Sequence, residues 1–161
     1  MSWADAFLVQ AQSDWRVYKS LQSESIEECH KLHYLLMTGE KLAKYHSASH
    51  DEPPKPSHYA LDGFIKNCNH IPKIRALLGY SNNREGCIHY LKTIRQVALE
   101  LVKLAPTSDI KNMNVEYPWQ NTNGKVMIPC NVDFRVALNI RPTNFNIFVR
   151  FIEKFLAYNK A

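Results

Sequence analysis

The chain has 161 residues, of which 45% are hydrophobic, and carries a net charge of +5 with a pI near 9.0. This length suits one domain, 1–161, able to bury a core, and the composition excludes wholesale disorder. No run approaches the roughly eighteen apolar residues of a membrane span, and the N-terminus lacks the basic region of a secretory signal. A cytoplasmic protein without membrane contact is therefore expected.

In chain order, the first predicted helix covers 3–21, where Trp3, Phe7, Ala11, Asp14, Trp15 and Tyr18 recur at steps of three and four. Ser2 followed by Asp5 reads as its N-terminal cap. The second covers 25–46, with Cys29, Leu32, Leu35, Leu36, Leu42 and Ala43 on one stripe and Ser25, Glu27 and Glu28 at its start. Gly39 falls on that stripe, a position that suits a close crossing by another helix.

Residues 47–56 contain three prolines and read as a loop. A third helix is expected from His58 to about Asn69, then a short one over 72–79 that ends at Gly79. Residues 83–105 give another strong stripe, Cys87, Leu91, Ile94, Ala98, Leu101 and Ala105, closed by Pro106. His89, Lys92, Gln96 and Lys103 lie on the opposite, polar side.

Over 107–141 the character changes. Asn123-Gly124 is a hairpin-turn signal, and Val126 and Ile128 alternate with polar neighbours, which predicts a short strand pair. Phe148, Phe151, Ile152 and Phe155 then mark a helix over 143–158. The pattern as a whole predicts an all-α, antiparallel up-and-down helical bundle with an irregular or β-hairpin excursion before the C-terminal helix.

The charge is unevenly spread. Residues 1–62 are net acidic, whereas residues 63–111 carry 8 basic against 3 acidic side chains, so an anionic partner such as RNA would meet this middle stretch. A solvated basic face accounts for the same pattern.

Within that stretch lies Arg84-Glu85-Gly86-Cys87-Ile88-His89, an Arg-x4-His pair. Histidine moves protons near neutral pH, and arginine holds a phosphate and its developing charge. Together they suit metal-independent cleavage of RNA, whose own 2′-hydroxyl is the nucleophile. Arg84 and His89 are the candidate catalytic residues, and Lys92 and Arg95 the candidate RNA contacts. At 100° per residue the catalytic pair stands about 140° apart, so convergence needs Arg84 in the first turn or a second copy.

Other chemistry is thinner. Cys29 with His33, His30 nearby, His46 with His50, and Cys68 with His70 offer metal-ligand pairs but no quartet for zinc, so no metal or cofactor is expected. Four widely spaced cysteines read as reduced, part-buried residues. Asp14 and Glu40 lie on helices that should pack together, although Lys41 and Lys44 make surface charge the simpler reading of Glu40.

The order Gln10-Ala11-x2-Asp14-Trp15-x2-Tyr18, then Cys29-His30-x2-His33-Tyr34-x5-Glu40-Lys41-x2-Lys44, resembles the first helix pair of HEPN domains (higher eukaryotes and prokaryotes nucleotide-binding). Glu116-Tyr117-Pro118-Trp119 resembles the Tyr-Pro turn that often follows the long helices of that superfamily. The resemblance spans about 3–158. It implies a helical bundle, often a homodimer, acting on RNA or nucleotide. Active members carry an Arg-x4-6-His motif completed across the dimer, and Arg84 and His89 match it. In those members Asn, Asp or His often follows the arginine, where this chain has Glu85. Other members lack the motif and serve as binding or assembly modules. Two functions stay open: an endoribonuclease, and a non-catalytic module for nucleotide, RNA or a partner protein. Tyr80, Tyr90 and Trp119 are aromatic candidates for a dimer surface.

Overall fold

A computed structural model describes residues 1–48, 52, 54 and 57–159. Seven α-helices occur among them: α1 (Trp3–Leu21), α2 (Glu28–Ser47), α3 (Ala60–Cys68), α4 (Pro72–Leu77), α5 (Arg84–Val102), α6 (Phe134–Ala137) and α7 (Pro142–Tyr158). A two-stranded antiparallel sheet, β1 (Trp119–Gln120) and β2 (Val126–Met127), and a single 3-10 turn at Pro129–Asn131 lie between α5 and α6. The protein is thus an all-α bundle with a β-hairpin excursion ahead of its last helix. No described helix is long and apolar enough to cross a membrane.

Ser2 starts α1 as expected: its hydroxyl accepts from the Asp5 N–H at 3.1 Å while its own N–H donates to the Asp5 carboxylate. Such a reciprocal cap is worth about 1 kcal/mol. The short connection after α1 makes α2 its antiparallel neighbour. Asp14 on α1 meets Lys41 on α2 at 2.5 Å, and about one turn further along α2 the Lys44 ammonium lies 5.8 Å from the Phe7 ring of α1. α2 begins at Glu28, three residues later than the Ser25 start implied, because Ser23 and Glu24 instead continue the end of α1 in turns that donate to the Ser20 and Leu21 carbonyls.

Gly39 does permit a close crossing. A Cβ there would stand 2.9 Å from Leu61 Cδ2 of α3 and 3.7 Å from Ile152 Cδ1 of α7. α7 runs alongside α2 in the same sense, since Ile152 approaches Gly39 and the Tyr45 hydroxyl, six residues on, donates to Asn159. Phe148, Phe151, Ile152 and Phe155 of α7 are fully buried, and Phe64 joins Phe151 and Phe155 in an aromatic cluster at 4.7–6.2 Å. Each buried Phe contributes about 1.5–3 kcal/mol, so this cluster is a main source of cohesion.

α5 packs on α3 and α7. It ends at Val102 rather than near Ala105, and the Lys103, Leu104 and Ala105 amides close it with tighter turns. The excursion then folds back onto the start of α2. Glu28 accepts from the Phe134 N–H at 3.0 Å and pairs with Arg135, and Glu116 reaches His33 Nδ1 at 3.1 Å, out of line for a hydrogen bond. Gly124, at φ +76°, forms the hairpin turn that Asn123-Gly124 predicts, and Asn121 Oδ1 accepts from the Asn123 and Lys125 N–H groups. Trp119, expected on the surface, is buried against Phe134 with ring centres 6.0 Å apart. The strand pair turns it inward.

Candidate nucleic-acid interface

Asn83 caps α5 by accepting from the Gly86 N–H at 2.8 Å, which fixes the register of everything after it. Arg84 is then the first helical residue, exposed, and without a side-chain partner among the described residues. Glu85 follows in the same turn. It suits the positive end of the helix dipole but sets a carboxylate beside any phosphate that Arg84 would hold.

His89 is exposed and opens onto a groove of about 600 Å³ between α5 and α7, shared with Tyr80, Glu85, Tyr90 and Asn144. Arg84 does not line this groove. One chain therefore keeps the two residues on different sides of α5's outer surface, at the 140° separation that the helical repeat dictates, and no hydrogen bond joins them. Tyr80 and Tyr90 pack on each other with ring centres 5.5 Å apart. They are half-buried groove walls, not free surface aromatics. Burial, and then the neighbouring Tyr80, push the Tyr90 phenol up to about 12, so it stays a neutral hydroxyl.

Lys92 is exposed and has no partner among the described residues. Arg95 differs: its Nε donates to Asp62 Oδ1 of α3 at 2.5 Å, and Lys66 Nζ stands 2.7 Å from the other oxygen. Arg95 shares the single Asp62 carboxylate with Lys66, and through that contact it ties α3 to α5. The sequence signals its positive charge and its place on the helix, but not the acid 33 residues earlier.

No group of three His, Cys, Asp or Glu side chains that could hold a metal occurs among the described residues. His50 lies outside them. Cys29, Cys68 and Cys87 are buried and free, and burial raises all three thiols, Cys68 to about 12. None is poised as a thiolate ligand or nucleophile. The carboxylates on α1 and α2 are also committed. Asp14 accepts from Gln10 and Lys41, and Glu40 takes Lys44 at 2.5 Å and His58 at 3.0 Å.

No protein-family model matches the chain, and no curated protein or solved structure matches it significantly.

Proposed function

We propose that this chain is a HEPN-like helical module that binds RNA or a nucleotide through the outer face of α5. The observation that carries the reading is the concentration on that face of side chains the fold does not use. Arg84 and Lys92 are exposed cations without partners among the described residues; around the helix Lys92 lies between Arg84 and His89, and His89 opens onto a groove walled by Tyr80 and Tyr90. Cations supply phosphate affinity, and aromatic walls suit a base. Fluorescence anisotropy with a labelled single-stranded RNA tests this directly. Affinity should fall with salt, and Arg84→Ala and Lys92→Ala should each reduce the salt slope by about 1. A protein that fails to bind RNA or nucleotide at low salt overturns the reading.

Endoribonuclease action is the second reading. It is favoured by one specific feature: Arg84 sits in the first turn of α5, and neither it nor His89 has a side-chain partner among the described residues. Their separation around the helix means that a working site takes a second copy of the chain, with a homodimer meeting through α5.

A further inference from the structure

A second cavity, of about 280 Å³, lies at the end of the bundle where α1 turns into α2. Tyr18 of α1, Lys31 of α2 and Arg135 of α6 reach it, and Leu32 and Phe145 form its apolar wall. The ring of Tyr18 is held by stacking on Trp15, with centres 5.2 Å apart. Tyr18 is only 4% exposed, but its hydroxyl opens onto the cavity and makes no hydrogen bond to a described residue. The hydroxyl is therefore free to bond whatever occupies the cavity, whether water or a ligand group. Burial, partly offset by Arg135, pushes this phenol up to about 12, which keeps it a hydrogen-bond donor at physiological pH.

The charges around the cavity are not balanced. Glu28 is consumed by the fold, one oxygen pairing with Arg135 and the other accepting from the Phe134 N–H. Arg135 makes that pair through Nε, which leaves its terminal nitrogens. Among the described residues, Lys31 Nζ is held by the Glu24 carbonyl alone, at 3.2 Å. One surplus positive charge therefore faces the same space as the unpaired hydroxyl. Arg135 also lies 5.8 Å from the Phe145 ring, so the cationic and apolar walls adjoin.

We propose that this cavity binds a small organic monocarboxylate, its oxygens held by Tyr18, Lys31 and Arg135 and its hydrocarbon body set against Leu32 and Phe145. Drug-sized sites start at about 300 Å³, so a ring-sized acid fits and a nucleotide does not. The site is separate from the α5 face and stands or falls independently of RNA binding.

Benzoate and phenylacetate, with benzamide as the neutral counterpart, test this on the full chain by calorimetric titration and amide chemical shifts. Both acids should bind saturably, shift amides around Tyr18, Lys31 and Arg135, and bind at least tenfold more tightly than benzamide. Tyr18→Phe should weaken benzoate by about 3- to 10-fold, the usual worth of one hydrogen bond, while leaving the thermal midpoint of the free protein unchanged or higher. Lys31→Gln should remove most of the preference for benzoate over benzamide. Absence of saturable binding by either acid up to about 10 mM overturns the proposal. So does benzamide binding as tightly as benzoate, or benzoate binding that ignores the Tyr18 change.

Discussion

The Arg95 guanidinium and the Asp62 carboxylate form a 2.5 Å contact that joins α5 to α3. Asp62 is 7% exposed and Arg95 is only half-buried, so the acid is the member that depends on the pair. Arg95→Met should destabilise the fold by about 1–2 kcal/mol. That is below the 3–5 kcal/mol of a fully buried pair, because Lys66 still reaches the other oxygen and Arg95 is partly solvated. Urea unfolding measures it. If Arg95→Met unfolds at the wild-type midpoint, the contact contributes nothing to stability.

Acid titration should show two windows. The His46 ring stacks on Phe64 with centres 4.5 Å apart and meets the edge of Phe155, and this loss of hydration lowers its pKa to about 4. The unfolded chain, with an ordinary histidine near 6.5, then binds more protons than the folded one between those values. Stability should rise with pH across that interval and fall as pH drops from 6.5 towards 4. The residue keeps over a third of its surface exposed, so the effect is a gentle slope. His46→Phe should flatten it in urea midpoints taken from pH 7 to 4.

Asp62 acts lower down. Burial raises its carboxyl, but the hydrogen bonds from Arg95 and Lys66 outweigh that and leave it below the usual 3.8. Its contribution is present above the unfolded value and is lost as pH falls through the lowered folded one. Asp62→Asn should abolish this second loss and leave the His46 window in place.

Gly39 offers a packing test. An alanine there gains about 1 kcal/mol of helix propensity but sets its Cβ 2.9 Å from Leu61 Cδ2, which is itself almost fully buried. Overpacking of this kind costs about 1–3 kcal/mol, so Gly39→Ala should be destabilising by up to about 2 kcal/mol and Gly39→Val by more. Thermal denaturation that ranks Gly39→Ala above the wild type would mean that Leu61 yields freely.

The helices and their faces were legible because they are written in local spacing. Ser2 with Asp5, the leucine stripe of α2, Gly39, Asn123-Gly124 and the phenylalanines of α7 each act within a few residues, or through a periodicity that survives without knowledge of the partner. The pairings were not legible. Arg95 reads as a free cation until Asp62 is found across the α3–α5 contact, and Trp119 reads as surface until the hairpin turns it onto Phe134. The Tyr18 cavity joins residues from α1, α2, α6 and α7, and no spacing in the chain announces it. For Arg84 and His89 the helical repeat gave the 140° separation directly, and the structure adds that only His89 faces the groove.

That separation makes the ribonuclease reading testable in a way that does not depend on the overall rate. If the chain cleaves RNA through this pair, the reaction should persist in chelator, because no described cluster can hold a metal, and should leave a 2′,3′-cyclic phosphate. His89→Ala should lower the rate by about 10² to 10⁴, and Arg84→Ala by a comparable order. Lys92→Ala should weaken binding and spare cleavage. When Arg84 and His89 of one site come from different copies, a mixture of the Arg84→Ala and His89→Ala proteins rebuilds one intact site in each mixed dimer. Activity should then return to a substantial fraction of the wild-type rate, although each variant alone is nearly inactive. A mixture no more active than its components would show that the pair does not act across two copies. Cleavage unaffected by His89→Ala would remove this mechanism and leave the α5 face as a binding surface alone.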